Sequence, residues 1–391
     1  MLGDTYEYPK KVQMVFSICF LFVAFLAILS FGLNPRTFFF ANQVDWIKSQ
    51  SGIRFGKNAM AYTNVINEKI RGDSSDSNTF SVEIALKLEE AREGGFKFIF
   101  VLHSGQDSNQ LLMAQWRSWI ILMNGNDYSH RRKTKRLAID TAPLAAGPVF
   151  LTVTTNSHGT KLYFEGGLVK EEKDLTLDFP NSGEVRLVLG NSVYGKHSWQ
   201  GDVYGLAFYQ STLADQAVKS HFLQWSKERD FSFAKTAKTF ILFLFDEKEG
   251  HRVTDYSGAR HSLYIPPIMA PLKNKFFVSP RQEDRFTSSS LMDILLNVLG
   301  FIPFGFLLSA SLTQLGGNFG KHVGLITVGL CLIVSLIIEI IQAWLPLRTS
   351  SLSDLMLNVF GGWIGSISYL SRCGHLYDDL IRTVSRQLVA R

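Results

Sequence analysis

The sequence predicts a mixed architecture, in which an extracytoplasmic all-β jelly-roll sandwich is joined to an α-helical membrane domain, with four transmembrane helices in total. Three observations support this prediction. Apolar residues are concentrated at the two ends of the 391-residue chain. Uncharged runs there are long enough to cross a bilayer, and the middle consists of short alternating segments separated by turns. Mean hydropathy is +0.08, an average over apolar ends and a polar middle.

The first apolar run, 12–33, is uncharged and follows Lys10 and Lys11. About 20 apolar residues span a bilayer core, whereas a cleaved signal peptide has an apolar core of roughly 7–15 residues and a small-residue cleavage site. The run therefore predicts a retained anchor. Because cytoplasmic flanks are enriched in Lys and Arg, residues 1–11 are expected in the cytoplasm and the following segment outside.

Three further apolar runs, 291–312, 323–345 and 354–370, are expected to span the membrane. Alternation from the anchor returns the arginine-rich tail to the cytoplasm, in agreement with the positive-inside rule. The tail repeats an apolar residue every four positions from Leu376 to Leu388, which fits either an amphipathic helix on the inner surface or a frayed polar tail. The predicted organisation is 1–11 cytoplasmic, 12–33 anchor, 34–270 sandwich, 271–290 linker, 291–371 three-helix membrane domain and 372–391 cytoplasmic tail.

Three segments of the middle region carry a family resemblance. Ser51–Gly56 is similar to the opening strand of the laminin-G, concanavalin A-like family, Gly159–Gly167 to its central strand and hairpin turn, and Trp199–Tyr209 to its closing strand. The resemblance covers roughly 200 residues, and it implies a two-sheet sandwich. It also implies binding of carbohydrate, calcium or protein through loops and a concave sheet face.

The segment Phe245–Gly258 departs from this family pattern. Its residues resemble a sequence motif found at the start of such domains, yet here the motif follows the closing strand. Circular permutation is inexpensive where chain termini lie close together. The sequence therefore predicts a permuted sandwich, with a linker of similar sequence as the alternative. Permutation requires these residues to pair with the sandwich.

The sandwich offers few candidates for chemistry. Glucanase-type hydrolysis needs two carboxylates that project together, and Glu83 has no acidic partner two residues away on its alternating segment. Hydrolysis by this domain is therefore not expected. The oxygens of Asp246, Glu247 and Asp255 suit calcium, although such residues also close turns. No cofactor is predicted apart from this calcium option.

A basic cluster, which follows the predicted turn at Asn124, is the densest run of charge in the middle region. It fits contact with anionic lipid headgroups or acidic polysaccharide, or a solvated hairpin tip. Trp116 and Trp119, which precede it, are expected in the buried core rather than in a sugar-stacking site. The cluster comprises Arg131, Arg132, Lys133, Lys135 and Arg136.

Charge and cysteine content exclude some functions. A net charge of +6 is too small to indicate a nucleic-acid partner, and no zinc-finger, helicase or P-loop pattern is present. The chain has three cysteines, with none between Cys19 and Cys331. A cysteine-free exported region needs no oxidising pathway, so no structural disulfide is expected.

The most specific residues lie in the membrane domain, where an eight-residue segment is repeated. Asp293–Gly300 matches Asp354–Gly361 at five of eight positions, 61 residues later. Asp and Asn four apart share one helix face. The predicted span directions bring both copies and the polar end of the intervening span to the outer surface. The predicted polar cluster comprises Asp293, Asn297, Glu339, Gln342, Arg348, Asp354 and Asn358.

Two interpretations of this polar cluster stay open. A charge near a helix centre costs about 2.5–3.5 kcal/mol on insertion scales, so an intramembrane site is one interpretation. The other is a structural clasp in which Arg348 bridges carboxylates. Small residues and a proline mid-span are expected to set helix packing. These are Gly300, Pro303, Gly305, Gly361 and Gly365.

The same residues resemble the VanZ-like membrane family, which is named for a teicoplanin-resistance protein. The resemblance spans about 287–372 and fills every polar position of the pattern. It implies a glycopeptide resistance-related family and a bacterial envelope role, with lipid-linked glycans or surface polymer as partners. The chain is accordingly predicted in the bacterial cytoplasmic (inner) membrane, with 34–290 extracytoplasmic. The family supplies no mechanism.

Two functions are therefore weighed. In the favoured one, the sandwich binds glycan or an envelope protein, and the membrane domain recognises a lipid or lipid-linked headgroup at the outer leaflet. In the alternative, a membrane enzyme or transporter acts on a lipid-linked amphiphile, with Asp293, Glu339 or Asp354 as acid or base and Arg348 holding an anionic group. The sequence lacks a nucleophile–base pair and a metal-ligand set, which weighs against catalysis. Oligomerisation stays open.

Overall fold

The computed structural model describes residues 4–33, 40–66, 78–89, 95–105, 110–125, 134–141, 147–180, 183–236, 238–278, 288–316, 321–345, 348 and 350–389. The chain divides into two units. The helical unit combines Met1–Phe38 with Asn274–Arg391, and the sandwich unit is Phe39–Lys273.

The sandwich unit is built from short strands with alternating side chains. They are β1 (Val44–Trp46), β2 (Ile53–Phe55), β3 (Ala61–Thr63), β4 (Phe80–Leu88), β5 (Lys97–His103), β6 (Gln110–Trp116), β7 (Trp119–Gly125), β8 (Leu137–Asp140), β9 (Val149–Asn156), β10 (Gly159–Phe164), β11 (Gly167–Glu172), β12 (Arg186–Leu189), β13 (Gly201–Tyr209), β14 (Thr239–Phe243), β15 (Arg252–Val253) and β16 (Leu263–Tyr264).

These strands form two antiparallel sheets. The first has the order β1–β2–β13–β4–β9–β10–β11, with β14 also paired to β13, and the second has the order β15–β16–β3–β12–β5–β6–β7–β8. Their inward side chains form one apolar core, in which the rings of Phe100 and Phe208 lie 5.6 Å apart. The predicted all-β sandwich is confirmed, because two facing sheets bury alternate residues of their strands.

The segment that follows the closing strand belongs to the sandwich. Strand β14 pairs with β13 at Leu206–Tyr209, while β2 pairs with the other half of the same strand at Gly201–Val203. Strands β15 and β16 pair with each other and extend the second sheet through β3. The pairing that a circular permutation requires is therefore present, and the permutation itself stays a prediction.

Helix α1 (Asp4–Leu33) belongs to the helical unit, and α2 (Asp215–Glu228) packs on the sandwich. The helical unit continues with α3 (Ser288–Leu315), α4 (Val323–Trp344), α5 (Leu352–Leu370) and α6 (Arg372–Val389). An N-terminal apolar helix and three apolar helices in the C-terminal half confirm the helical part of the prediction. Among the described helices, three are long and apolar enough to cross a membrane, at Val12–Leu33, Ile294–Leu315 and Val323–Trp344.

Helices α3 and α5, which contain the two copies of the repeat, pack side by side in parallel. A Cβ added to Gly361 would lie 2.3 Å from the Val298 carbonyl oxygen, and one added to Gly365 would lie 2.1 Å from the Ile302 carbonyl oxygen. At Gly305 an added Cβ would lie 2.2 Å from the carbonyl oxygen of Gly362. The two backbones therefore approach so closely that only glycine fits.

The other two predicted packing residues behave differently. An added Cβ at Gly300 would meet no described atom within 4 Å, so the close approach does not depend on this glycine. Pro303 lies inside α3, as expected. Polar side chains lie at both ends of the helical unit, and between them Ser309, Thr327 and Ser366 form a buried group of hydrogen-bonded hydroxyls. The Glu339 end is where α1 and α4 end and α3 and α5 begin, and the Asp378 end is where α6 lies.

Candidate functional site

The Glu339 end of the helical unit holds a buried carboxylate. Glu339 lies near the end of α4 and is only 1% exposed. Its Oε2 accepts a hydrogen bond of 2.7 Å from the backbone N–H of Ser351. Ser351 is the N-cap of α5, and its hydroxyl accepts from the N–H of Asp354 at 3.2 Å. Because helix N-termini present free N–H groups and a positive dipole end, the start of α5 stabilises this carboxylate.

One helical turn deeper, an amide pairs with a hydroxyl. Asn358 Nδ2 donates to Ser335 Oγ at 2.9 Å, and both residues are buried. Among the described residues, the buried Oδ1 of Asn358 has no hydrogen-bond partner. Ser335 precedes Glu339 by four residues, as Asp354 precedes Asn358, so each pair lies on one helix face. A buried unpaired amide oxygen costs about 1–3 kcal/mol, which calls for an explanation.

An extended segment covers this end of the unit. Val278 forms a parallel bridge with Ser351, and its N–H donates to the Ser350 carbonyl at 2.8 Å. The ring of Phe276 packs edge-on against Trp344 at 5.9 Å. Residues 276–278, placed by sequence in the linker 271–290, thus help to bury the polar groups around Glu339.

The other predicted cluster residues contribute less to this arrangement. Gln342 Nε2 donates to the Gly32 carbonyl at 2.7 Å, so it ties α4 to the end of α1. Arg348 and Asn297 are half-buried. Within the described part of the chain, no ion pair joins Arg348 to a carboxylate. The Asp293 side chain lies outside the described residues.

Sequence reasoning missed two members of this site. Ser335 is a single hydroxyl in an apolar helix and gives no pattern. Ser351 donates to Glu339 through its backbone N–H, which no side-chain pattern reveals. Its position could still have been predicted, because Ser-x-x-Asp before an apolar run is typical of a helix N-terminus. The site therefore consists of Glu339, Asn358, Ser335, Ser351 and Asp354.

Among the described residues of the sandwich, Glu83 on β4 is a carboxylate that is fully buried. Its oxygens accept hydrogen bonds from Tyr209 at 2.6 Å, from His221 Nδ1 at 3.0 Å and from Thr152 at 3.2 Å. His221 comes from α2 and packs on Phe233 at 4.8 Å. Burial and the Glu83 charge raise the pKa of Tyr209 well above its usual range. This carboxylate joins α2 to the first sheet.

The expectation that Trp116 and Trp119 are buried is wrong. They are 38% and 37% exposed and lie opposite each other at the tip of the β6–β7 hairpin. The two-residue turn between them contains Arg117 at φ 56°, whose guanidinium lies 5.2 Å from the Trp116 ring. The six residues of β6 that precede Trp116 are all buried, and this burial ends at the hairpin tip.

The three candidate calcium ligands have protein partners. Asp255 accepts from the N–H groups of Leu242, Ser257 and His261 at 2.9–3.0 Å. Burial opposes its ionisation, but hydrogen bonds from the His261 side chain, from Ser257 and from the His261 N–H prevail and lower the pKa of Asp255. Asp246 accepts from Tyr256, and Glu247 from the N–H of Thr254. Among the described residues, no three His, Cys, Asp or Glu side chains form a metal-binding group, and the calcium ion stays a prediction.

Most of the basic cluster cannot be placed, since Arg131, Arg132 and Lys133 lie outside the described residues. Lys135 is exposed and donates to the Asp174 carbonyl at 2.9 Å. Arg136 is half-buried. The anionic-surface contact of this cluster therefore stays a prediction.

Two family models match the chain. The VanZ/LLP1 family matches residues 233–373, and the concanavalin A-like lectin/glucanases superfamily matches residues 63–219. The first match starts earlier than the predicted 287 and includes β14–β16. No curated protein matches the sequence.

Several solved structures match the chain at low similarity. A candidate carbohydrate binding protein from Bacteroides ovatus is 12% identical at a TM-score of 0.40, over 56% of this chain and 58% of that one. The botulinum neurotoxin serotype D binding domain is 15% identical at a TM-score of 0.36, over 47% and 45%. The binding domain of botulinum neurotoxin DC, in complex with rat synaptotagmin II, is 13% identical at 0.36, over 47% and 45%.

The chain thus spans about half the length of these solved structures, and likenesses at such scores carry no conclusion about ligands. The family matches and the apolar helices do carry one. The chain is a membrane protein, and its predicted resemblance to a concanavalin A-like sandwich fused to a VanZ-like membrane domain is confirmed.

Proposed function

We propose that this protein is a bacterial envelope protein of the cytoplasmic membrane, which binds glycan or a protein through its sandwich and a lipid or lipid-linked headgroup at the Glu339 end of its helical unit. In this proposal Lys10 and Lys11 lie in the cytoplasm, residues 34–290 lie outside, and the Glu339 end faces the outer leaflet. The partner classes are lipid-linked glycan, polysaccharide or an envelope protein.

The observation that carries the proposal is the unpaired Oδ1 of Asn358, one turn below the buried Glu339. Both groups are acceptors in an apolar helical unit, where a polar group without a partner is costly. A headgroup with hydroxyl or ammonium donors would satisfy Asn358. Arg348, half-buried at the same end, suits the phosphate of such a headgroup.

In the sandwich, the exposed pair Trp116 and Trp119 supports a glycan-binding role. Large rigid rings offer contact area at low entropic cost and favour sites where one side is apolar and the other wet. The test is binding of the intact protein, in nanodiscs, to cell-wall glycan fragments. Trp116→Ala should weaken binding at least tenfold, whereas Tyr256→Ala, which removes another exposed ring, should leave it unchanged. Equal binding by both variants would show that the glycan does not bind at the hairpin tip.

The first experiment on the membrane site is native mass spectrometry of the intact protein, purified from its own membrane. The wild type is compared with Arg348→Ala, with Glu339→Gln and with Lys321→Gln, which removes a charge at the opposite end of α4. Bound lipid or lipid-linked sugar should be present in the wild type and in Lys321→Gln. It should be lost in the other two variants.

The same experiment separates the alternatives. A wild-type protein without bound lipid, unchanged in folded Arg348→Ala, would support a structural clasp and refute the headgroup site. An enzyme or transporter acting through Asp293, Glu339, Asp354 and Arg348 would instead release altered or translocated amphiphile. An altered amphiphile is scored by incubating the co-purified lipid with the reconstituted protein and comparing its mass before and after. A translocated amphiphile is scored by its accessibility to a reagent outside sealed vesicles.

A further inference from the structure

Helix α6 presents three distinct faces. One face packs on the helical unit and contains the buried residues Gly374, Ile381 and Ser385. Beside it, Leu376 and Leu380 are 71% and 62% exposed. The remaining face is charged, with the exposed residues Arg372, His375, Asp379 and Arg382. A soluble helix that packs on one face would keep the rest polar, so the two exposed leucines need an apolar neighbour.

The depth of α6 is set by its contacts with the spans. The Tyr377 hydroxyl lies 3.1 Å from Ser17 Oγ, and Ser17 is five residues inside the apolar span Val12–Leu33. At 1.5 Å per residue, this is about 8 Å from the start of the span. The Tyr377 ring also packs edge-on against Phe306 at 5.4 Å, nine residues before the end of α3.

A second set of polar contacts fixes the helix at this level. Asp378 accepts from Gln13 at 3.3 Å and from Tyr369 at 3.2 Å, and Gln314 donates to Ser17 at 3.0 Å. Gln13 and Ser17 lie in the first two turns of the apolar span Val12–Leu33, and Gln314 and Tyr369 lie in the last turns of α3 and α5. Helix α6 therefore lies where the apolar spans end, alongside them rather than beyond them.

The charge at this end favours an anionic neighbour. Arg372 and Arg382 are exposed, and Lys10 and Lys11 lie in α1 just before Gln13, which bonds to Asp378. Of the acidic groups on α6, Asp378 is engaged by Gln13 and Tyr369, and Asp379 lies 4.0 Å from Arg382. The excess is basic, as in helices that lie on anionic lipid.

We infer that α6 is an interfacial helix that binds anionic phospholipid of the leaflet at the Asp378 end. Leu376 and Leu380 lie among the acyl chains, Arg372 and Arg382 contact the headgroup phosphates, and the Tyr377–Ser17 and Asp378–Gln13 hydrogen bonds fasten the helix to the anchor. This inference concerns the opposite end of the helical unit from the proposed headgroup site, and it stands or falls independently of it.

The native Cys373, exposed on the same side as Leu376, provides the probe. The full chain with Cys19→Ser carries a nitroxide at Cys373, since the other thiol, Cys331, is buried. It is placed in nanodiscs of phosphatidylcholine alone or mixed with phosphatidylglycerol. Accessibility is measured to oxygen, which partitions into lipid, and to a water-soluble nickel complex.

The expected result is a probe that oxygen reaches several-fold better than nickel does, at the depth of the headgroup boundary. Leu376→Asn combined with Leu380→Asn should reverse this ratio, whereas His375→Asn on the charged face should not. Phosphatidylglycerol should lower nickel access further. This lipid effect should vanish in Arg372→Gln combined with Arg382→Gln and return in the matched pair of Lys substitutions.

Three outcomes would overturn the inference. A probe that nickel reaches freely in both bilayers would place α6 in water. If the probe depth in the wild type is the same with and without phosphatidylglycerol, the anionic headgroup is excluded as the ligand. Shielding that appears only as protein density rises, with spin–spin broadening between probes, would identify a second copy of the chain as the neighbour of the leucines.

Discussion

The two units of the protein each bury a glutamate, and they satisfy it differently. In the sandwich, Glu83 receives hydrogen bonds from three side chains, namely Tyr209, His221 and Thr152. In the helical unit, Glu339 receives a backbone N–H from Ser351, and nearby an amide oxygen of Asn358 is left without a partner.

In the proposed function, this difference distinguishes a structural glutamate from one at a ligand-binding end. A buried polar network whose members are all satisfied rigidifies a fold, while one that is partly satisfied has capacity left for a ligand. Glu83 joins a helix to a sheet in the interior of the sandwich. The Glu339 end, by contrast, offers an unpaired acceptor within an apolar unit, where a donor from outside the chain gains most.

The largest effect is expected from Glu83→Gln. The amide keeps the shape of the carboxylate but removes the charge that Tyr209 and His221 share, and breaking a buried pair costs about 3 kcal/mol. The measurement is thermal unfolding of the full chain, followed by the fluorescence of the buried tryptophans Trp199 and Trp225. Glu184→Gln, at an exposed ion pair 3.7 Å from Arg186, should cost less than about 0.5 kcal/mol. Equal costs would show that the Glu83 network is not structural.

The next effect concerns the helical unit. Gly365→Ala should cost about 1–3 kcal/mol, because its Cβ would lie 2.1 Å from a carbonyl oxygen of α3. Gly300→Ala, the equivalent change at an open position of α3, should be neutral or slightly stabilising, since alanine favours helix. Unfolding is read from the reaction of a thiol dye with the buried Cys331, in a background that carries Cys19→Ser and Cys373→Ser because those two thiols are exposed. A tolerated Gly365→Ala would mean that α3 and α5 can separate without loss of the unit.

A third effect depends on pH. The folded-state pKa of Asp255 is lowered, so its stabilising contribution is complete above the unfolded value of about 3.9 and is lost as pH falls through the folded value. Asp255→Asn should therefore cost about 2 kcal/mol at pH 7. The difference from wild type should shrink below about pH 4. A difference that is constant from pH 7 to pH 3 would assign the effect to the amide shape instead of the charge.

Much of the helix arrangement around Glu339 could be predicted from the sequence. The repeat from Asp293 and Asp354 anticipated two parallel helices, and Gly361 and Gly365 lie at their closest contact, because a small-residue pattern reports directly on helix approach. The alternation of span directions placed Glu339 beside the start of α5. Patterns of this kind predict helix contacts correctly because they reflect the packing and direction of the backbone.

Other features depend on tertiary neighbours that no local pattern contains. Trp116 is exposed at the tip of the β6–β7 hairpin, although the six residues that precede it in the strand are buried. Gln342 binds the Gly32 carbonyl of the anchor, more than 300 residues away, instead of joining the carboxylates. One donor to Glu339 is the backbone N–H of Ser351, a group that every residue type except proline provides.

The smallest effect on stability, and the most decisive for the comparison, is expected from Glu339→Gln. The amide oxygen can still accept from Ser351, so the unfolding free energy of the helical unit should fall by only about 1 kcal/mol. The bound headgroup, scored by native mass spectrometry, should nevertheless be lost. If Glu339→Gln instead cost as much as Glu83→Gln, and the bound lipid survived in the folded fraction, both glutamates would be structural. The unpaired Asn358 would then be explained by a buried water molecule, which satisfies such groups in many folded proteins.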